Sequence, residues 1–316
     1  MSYTVTAARK LVELNGEPFA YDVFTFDGVV ASAVVGLYGV DLQVLDEAVE
    51  LTDLAISMSH TMNTTTTKDG KTTTLVQVKV SVTIQDRQAS EVGTCSVGLS
   101  VVAFIGMPGD QENTLVLQNV QGIDAMGSNK TATLPTSVVA QAAIAGLAGF
   151  NLGTSSHQRI RSLDVSVSAQ APTTNVLTLQ ATAEGGYNRD DSQTTGTIDA
   201  AVVALIATER VLVTPTITAT SPQQSNSESW PEKDYRFSRP NVQELALFLQ
   251  GFQLASADGD SSKFKRLRVM PENITVEDGV LFFEAEWGMN MTSKEQNGPT
   301  PGGGSASWIA VGIATG

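Results

Sequence analysis

Apolar and polar residues alternate along much of this chain. Residues 76–84 (VQVKVSVTI) carry an apolar side chain at every second position, and residues 177–183 (LTLQATA) and 281–287 (LFFEAEW) keep the same period. A period of two is typical of an antiparallel strand that buries one face. The pattern therefore predicts β-strands at all three places.

A second pattern, Leu-x-Gly-x-x-Leu, occurs three times at intervals of about a hundred residues, as LYGVDL (37–42), LAGFNL (147–152) and LQGFQL (249–254). Each copy precedes two alternating segments, a polar tip and a final apolar segment. Glycine within a strand indicates a bulge or a close backbone approach. The final segments are apolar on both faces, which predicts central strands. We expect these residues to determine the fold: Leu37, Gly39, Leu42, Leu147, Gly149, Phe150, Leu152, Leu249, Gly251, Phe252 and Leu254.

The fold class that follows is mostly β, with three tandem antiparallel β-sandwich-like repeats joined by long connectors. The predicted ranges are 1–110 with an N-terminal arm, 111–215 and 216–316. Residues 241–254 could instead start as a helix, because their first half is rich in helix formers, but the repeated motif favours a strand. The connectors 107–136 and 209–240 contain strand-like pieces that either complete a sheet or bridge two repeats.

Composition excludes several functional classes. The formal charge is −14 and only 16% of residues are charged, which argues against nucleic-acid binding, since phosphate contacts need clustered Lys and Arg. A single cysteine, Cys95, permits no disulfide within the chain. No apolar run has the length of a signal-peptide core or a membrane span, so we expect synthesis in the cytoplasm and no membrane insertion.

Residues suited to catalysis are few. The two histidines, His60 and His157, stand at a strand end and in a polar turn, and no G-x-S-x-G motif accompanies them. Cys95 lies in a predicted strand, where a small buried hydrophobic role fits better than a nucleophile. We expect no catalytic residue and no enzyme activity.

Carboxylate pairs could hold a calcium ion at Asp190 and Asp191 or at Asp258 and Asp260. The spacing of an EF-hand is absent, and Asp-Gly turns form for backbone reasons alone. Residues 302–305 (GGGS) lack the context of a phosphate loop and are typical of a flexible hairpin. We therefore expect no metal site and no cofactor.

Glu284 and Glu286 share one face of a predicted strand, about 7 Å apart by strand rise. That separation can serve a glycosidase. We expect solvent-exposed charges to explain the pair better.

Three polar tips, at 85–93, 187–196 and 291–305, hold equivalent places after the second alternating segment. If the repeats align, the tips share one side of the molecule and form a recognition surface. Plain solvated turns are the alternative for each of them.

The last segment, SWIAVGIA (307–314), closes an antiparallel unit that resembles the H-type lectin fold, a small β-sandwich that recurs in bacteriophage tail and fibre proteins. The resemblance covers about a third of each repeat, and no carbohydrate-contact residue of that family is placed on this chain. The Thr-, Ala-, Val- and Gly-rich composition, poor in His and Cys, is similar to that of virion proteins.

These resemblances imply a non-enzymatic virion component, in a phage tail or as an accessory head protein. Its expected partners are copies of itself and other virion proteins, held by pairing at sheet edges and by apolar contacts. One alternative is a lectin-like module that binds host surface glycan through the tips. A second is an enzyme that acts on polysaccharide through Glu284 and Glu286.

Overall fold

The computed structural model describes residues 3–44, 50–85, 93–107, 111, 114–133, 139–153, 160, 162–170, 175–186, 195–206, 209–221, 235–255, 263–292, 299–301 and 304–314. Every secondary-structure element described is a β-strand. The strands are β1 (Thr4–Glu13), β2 (Phe19–Asp27), β3 (Val30–Gln43), β4 (Asp53–Thr66), β5 (Thr72–Gln85), β6 (Cys95–Ile105), β7 (Leu115–Asp124), β8 (Met126–Thr133), β9 (Ala142–Gly153), β10 (Ser162–Ala169), β11 (Val176–Gly186), β12 (Thr195–Leu205), β13 (Val211–Val213), β14 (Ile217–Ser221), β15 (Tyr235–Arg236), β16 (Val242–Ala255), β17 (Lys263–Glu277), β18 (Val280–Thr292), β19 (Pro299–Pro301) and β20 (Gly304–Ala314).

The strands form three antiparallel sheets. Sheet A has the order β1-β6-β3-β17-β18-β15, with β19 also on β18. Sheet B has the order β7-β12-β9-β4-β5-β2, and sheet C the order β13-β20-β16-β10-β11-β8, with β14 also on β20. In each sheet a strand that carries the Leu-x-Gly-x-x-Leu motif (the opening strand: β3, β9 or β16) pairs with the final strand of its own chain region. Its other neighbour is a hairpin from a different region of the chain.

Three short joints connect the chain regions, at β3–β17, β9–β4 and β16–β10. In each joint the last leucine of the motif lies opposite another leucine, and the pairs are Leu42 with Leu267, Leu152 with Leu54 and Leu254 with Leu163. The hairpin from the last third of the chain thus pairs with the first third. The joints close a cyclic arrangement.

The motif glycine is needed at each joint because the neighbouring backbone lies against it. A Cβ added at Gly149 would lie 2.6 Å from the Ile56 carbonyl oxygen, and one at Gly251 would lie 2.6 Å from that of Val165. The pairing with the final strand shifts register just before each glycine, as a β-bulge does. Both consequences predicted for the glycine, a bulge and a close approach, are present.

The opening strands are buried on both faces. Val35 and Leu37 belong to a large apolar cluster with side chains from all three sheets, whereas Val34 points into a second, central cluster. Ile144 and Ala246 enter the central cluster from the same place relative to their own motifs. The centre of the molecule is therefore an apolar core to which all three opening strands contribute.

Side chains from neighbouring regions cap the backbone of each opening strand, two residues before the motif. Asn119 exchanges two hydrogen bonds with the backbone of Val35, at 2.9 and 3.4 Å. The Ser100 hydroxyl donates to the Leu247 carbonyl at 2.6 Å and accepts from its N–H at 3.1 Å. The Gln250 amide donates to the Ala145 carbonyl at 3.3 Å. These caps satisfy strand edges that no neighbouring strand covers.

The prediction of a mostly-β antiparallel fold is confirmed. Residues 242–255 form a strand rather than a helix, the final strands β6, β12 and β20 are central, and both connectors contribute strands. The division into ranges 1–110, 111–215 and 216–316 stays a prediction, because every sheet combines strands from more than one range.

Candidate functional site

An open groove of about 770 Å³ lies on the outer face of sheet A, beside the β3–β17 joint. Strand β1 forms one wall through Arg9 and Leu11, and β17 forms the other from Arg268 to Ile274. The start of β16 closes one end with Gln243 and Glu244. We call this space the joint groove.

The groove wall on β17 is a network of paired charges. The Arg266 guanidinium donates to Asp41 at 2.7 and 2.5 Å, and Arg268 also binds Asp41. Arg268 further contacts Glu272 and Glu286. The Asp41 contact raises the pKa of Arg266. Because three carboxylates surround Arg268, this wall offers no spare positive charge to a ligand.

Arg9, on the opposite wall, has no carboxylate partner within the described part of the chain. Its Nη2 donates to the Ile274 carbonyl at 3.1 Å, while its Nη1 is buried and has no hydrogen-bond partner. Burial lowers the pKa of Arg9, an effect that the nearby Tyr38 partly opposes. A buried polar group without a partner costs free energy. Arg9 lines the groove, and it therefore brings there a guanidinium charge that no carboxylate of the described residues neutralises.

The groove also presents neutral polar groups. The Tyr38 ring lies against the backbone of β6, where a Cβ on Gly98 would come within 2.4 Å of it, and burial raises the pKa of its phenol. Ser96 and Gln243 line the same space. Glu244 is engaged, since it accepts from the Thr6 hydroxyl at 2.7 Å and the Ala7 N–H at 2.8 Å.

A second exposed feature lies on β2, the outermost strand of sheet B. Phe19 and Tyr21 are 44% and 56% exposed, and their rings meet edge to face with centroids 5.8 Å apart. Lys79 on β5 places its ammonium 4.6 Å from the Phe19 ring centroid. We call Phe19, Tyr21 and Lys79 the aromatic surface.

The free edge of β2 is capped next to this surface. Lys10 donates to the Val23 carbonyl at 2.7 Å and pairs with Asp22, whose carboxylate accepts from the Val23 N–H at 2.6 Å. A lysine and an inward charge at an edge oppose pairing with a further strand. Contacts at this part of the molecule are therefore favoured on the face rather than the edge.

Some of the residues singled out in the sequence lie within the described part of the chain. Cys95 is buried with a free thiol, as predicted, and burial raises its thiol pKa. His60 is half-buried beside a small pocket of about 150 Å³ that Asn119 and Asp199 also line. Burial lowers the pKa of His60, and a hydrogen bond to the Ala33 backbone partly offsets this.

The other candidates divide between engaged side chains and residues outside the described part. Glu284 accepts from the Asn273 amide at 2.8 Å, and Glu286 contacts Arg268. His157, the four aspartates at 190, 191, 258 and 260, and most of the three predicted tips lie outside the described residues. Among the residues that are described, no cluster of three or more His, Cys, Asp or Glu side chains is arranged to hold a metal ion.

Arg9 was not singled out from the sequence, although a signal exists. In the alternation along β1, Arg9 falls on the same face as Val5, Ala7 and Leu11. Val5 and Ala7 point into the central core. An arginine on the apolar side of an alternating strand indicates the place where that face leaves the core.

Comparisons with known proteins assign no family. No protein-family model matches the chain, and no curated protein matches it. Among solved structures, the lysenin pore aligns over all of both chains with 10% identity and a TM-score of 0.08, which carries no argument about fold or function. The lectin-like and virion resemblances stay predictions. No helix within the described ranges is long and apolar enough to cross a membrane.

Proposed function

We propose that this protein is a non-enzymatic structural component of a virion, in a phage tail or as an accessory head protein, and that it acts by homo-oligomeric assembly. The observation that carries the proposal is the aromatic surface. Phe19 and Tyr21 leave two large rings open to solvent on an outer strand. Exposed aromatic side chains of this kind are enriched at protein interfaces.

The partner that fits this surface is a second copy of the chain. The Lys79 ammonium lies over both rings, 4.6 Å from the Phe19 centroid and 5.9 Å from that of Tyr21, whereas the protein as a whole carries a formal charge of −14. An acidic region of a neighbouring copy would therefore complement the surface. The same net charge makes free copies repel one another at low salt.

Sedimentation velocity tests this assembly. We expect the parent protein to associate at micromolar concentration, and more strongly at 500 mM than at 50 mM NaCl, because salt screens the repulsion between acidic copies. The double variant Phe19→Ser/Tyr21→Ser should weaken association by tenfold or more, as loss of interface anchors does.

Phe282→Ser is the matched control, since Phe282 is 41% exposed on a different sheet. It should associate like the parent. A parent protein that stays monomeric in both salts, or a double variant that associates as the parent does, would overturn the assembly proposal. Mass spectrometry of purified virus particles tests the virion assignment separately, and it must detect this chain in them.

A further inference from the structure

We propose that the joint groove binds an acidic saccharide, with the ligand carboxylate on Arg9 and ligand hydroxyls on the neutral groups of the groove. This inference does not depend on the assembly proposed above. It rests on Arg9, Tyr38, Ser96 and Gln243, none of which belongs to the aromatic surface.

Arg9 is the group that defines the ligand charge. Of the three cations that line the groove, Lys10 is paired with Asp22 and Arg268 is surrounded by Asp41, Glu272 and Glu286. Arg9 makes one bond, to a backbone carbonyl, and its buried Nη1 has none. Because Arg9 lines the groove, a carboxylate placed beside it would supply the counter-charge that the described residues do not provide to the guanidinium.

The surrounding charges favour one negative charge over two. Asp41, Glu244 and Glu272 also line the groove. A dianion such as phosphate would lie close to these carboxylates and be repelled, whereas a monoanion needs only the single unpaired guanidinium. The groove therefore discriminates in favour of a carboxylate.

The neutral lining indicates what carries the carboxylate. The Tyr38 hydroxyl, the Ser96 hydroxyl and the Gln243 amide line the groove, and none of them has a side-chain hydrogen-bond partner among the described residues. Leu11, Met270 and Pro271 add apolar surface between them. A volume of about 770 Å³ lies within the range of small-molecule sites. Hydroxyl and amide groups interleaved with apolar surface suit a sugar ring that bears an acid.

Isothermal titration calorimetry with methyl β-glucuronide and N-acetylneuraminate tests the site on the full chain. We expect saturable binding of at least one of these probes and no binding of methyl β-glucoside, which lacks the carboxylate. Arg9→Gln should weaken the binding tenfold or more. Arg239→Gln, on an exposed arginine that pairs with Glu209 outside the groove, should leave it unchanged.

N-acetyl-aspartate amide carries a carboxylate without a sugar ring. It therefore distinguishes a sugar acid from an acidic amino-acid side chain as the source of the carboxylate. If it binds as tightly as the sugar acids, the saccharide part of the proposal is overturned. If neither sugar acid binds, or if Arg9→Gln binds as the parent does, the whole site is overturned. Tyr38→Phe keeps the packed ring and removes only the hydroxyl, so an expected loss of threefold or more remains measurable even where Arg9→Gln fails to fold.

Discussion

At the scale of single residues, the central core is filled unequally by the three opening strands. Phe248 lies in this core, one residue before the third motif, and is fully buried. Gly36 and Gly146 hold the same place before the other two motifs. A Cβ added at Gly146 would lie 2.5 Å from the Phe248 Cβ, and one added at Gly36 would lie 2.7 Å from its ring. One large side chain thus occupies space that three equal residues could not share.

Phe248→Ala should therefore empty the centre and lower the free energy of unfolding by about 3–5 kcal/mol. Gly36→Ala alone should lower it by about 1–3 kcal/mol through overpacking against the phenyl ring. In the Phe248→Ala background, Gly36→Ala should cost less, because the two ring atoms that the added methyl group would meet are gone. Urea unfolding of the two single variants and the double variant measures this coupling. Additive losses would contradict it.

At the scale of elements, the sequence predicted the strands but not their partners. Alternation of apolar and polar residues and runs that are apolar on both faces are local signals. The alternation correctly predicted the strands β5, β11 and β18. The runs correctly predicted that β6, β12 and β20 lie inside their sheets rather than at an edge. No local sequence pattern predicts that β17 pairs with β3, because this pairing joins residues more than two hundred positions apart. Arg9 was missed for a related reason, since its groove exists only after β1, β16 and β17 meet.

The motif glycines make the joints testable. Gly149→Ala or Gly251→Ala would press a methyl group against a backbone carbonyl oxygen that the sheet holds in place. Each should lower the free energy of unfolding by about 1–3 kcal/mol. Gly288→Ala is the control, because nothing lies within 4 Å of its added Cβ. Alanine in a strand interior is otherwise as good as or better than glycine. Equal losses at Gly251 and Gly288 in thermal or urea unfolding would exclude a special role for the joints.

At the scale of the whole molecule, the joints run in one direction around a centre and the caps run in the opposite direction. The hairpin β4–β5 pairs with β9, β10–β11 pairs with β16, and β17–β18 returns to β3. We infer that the chain is a closed ring of three like units, in which the hairpin of each unit pairs with the opening strand of the next. In such a ring the covalent link between the first and second units is dispensable, because the β9–β4 joint already connects them.

A circular permutant tests this closure. The new ends would lie between β6 and β7, within residues 106–114, and a linker of nine Gly and Ser residues would join Ala314 to Tyr3, so that the stacking of Tyr3 on Phe104 is kept. Nine residues reach about 30 Å, and the natural connector from β6 to β7 has the same length. We expect the permutant to fold with a Tm within a few degrees of the parent, because every joint, cap and core contact is kept. A second permutant with new ends between Phe248 and Leu249 should not fold, since it breaks β16 at the centre. If the first permutant failed like the second, the first and second units would depend on their covalent connection rather than on the β9–β4 joint, and the ring would be excluded.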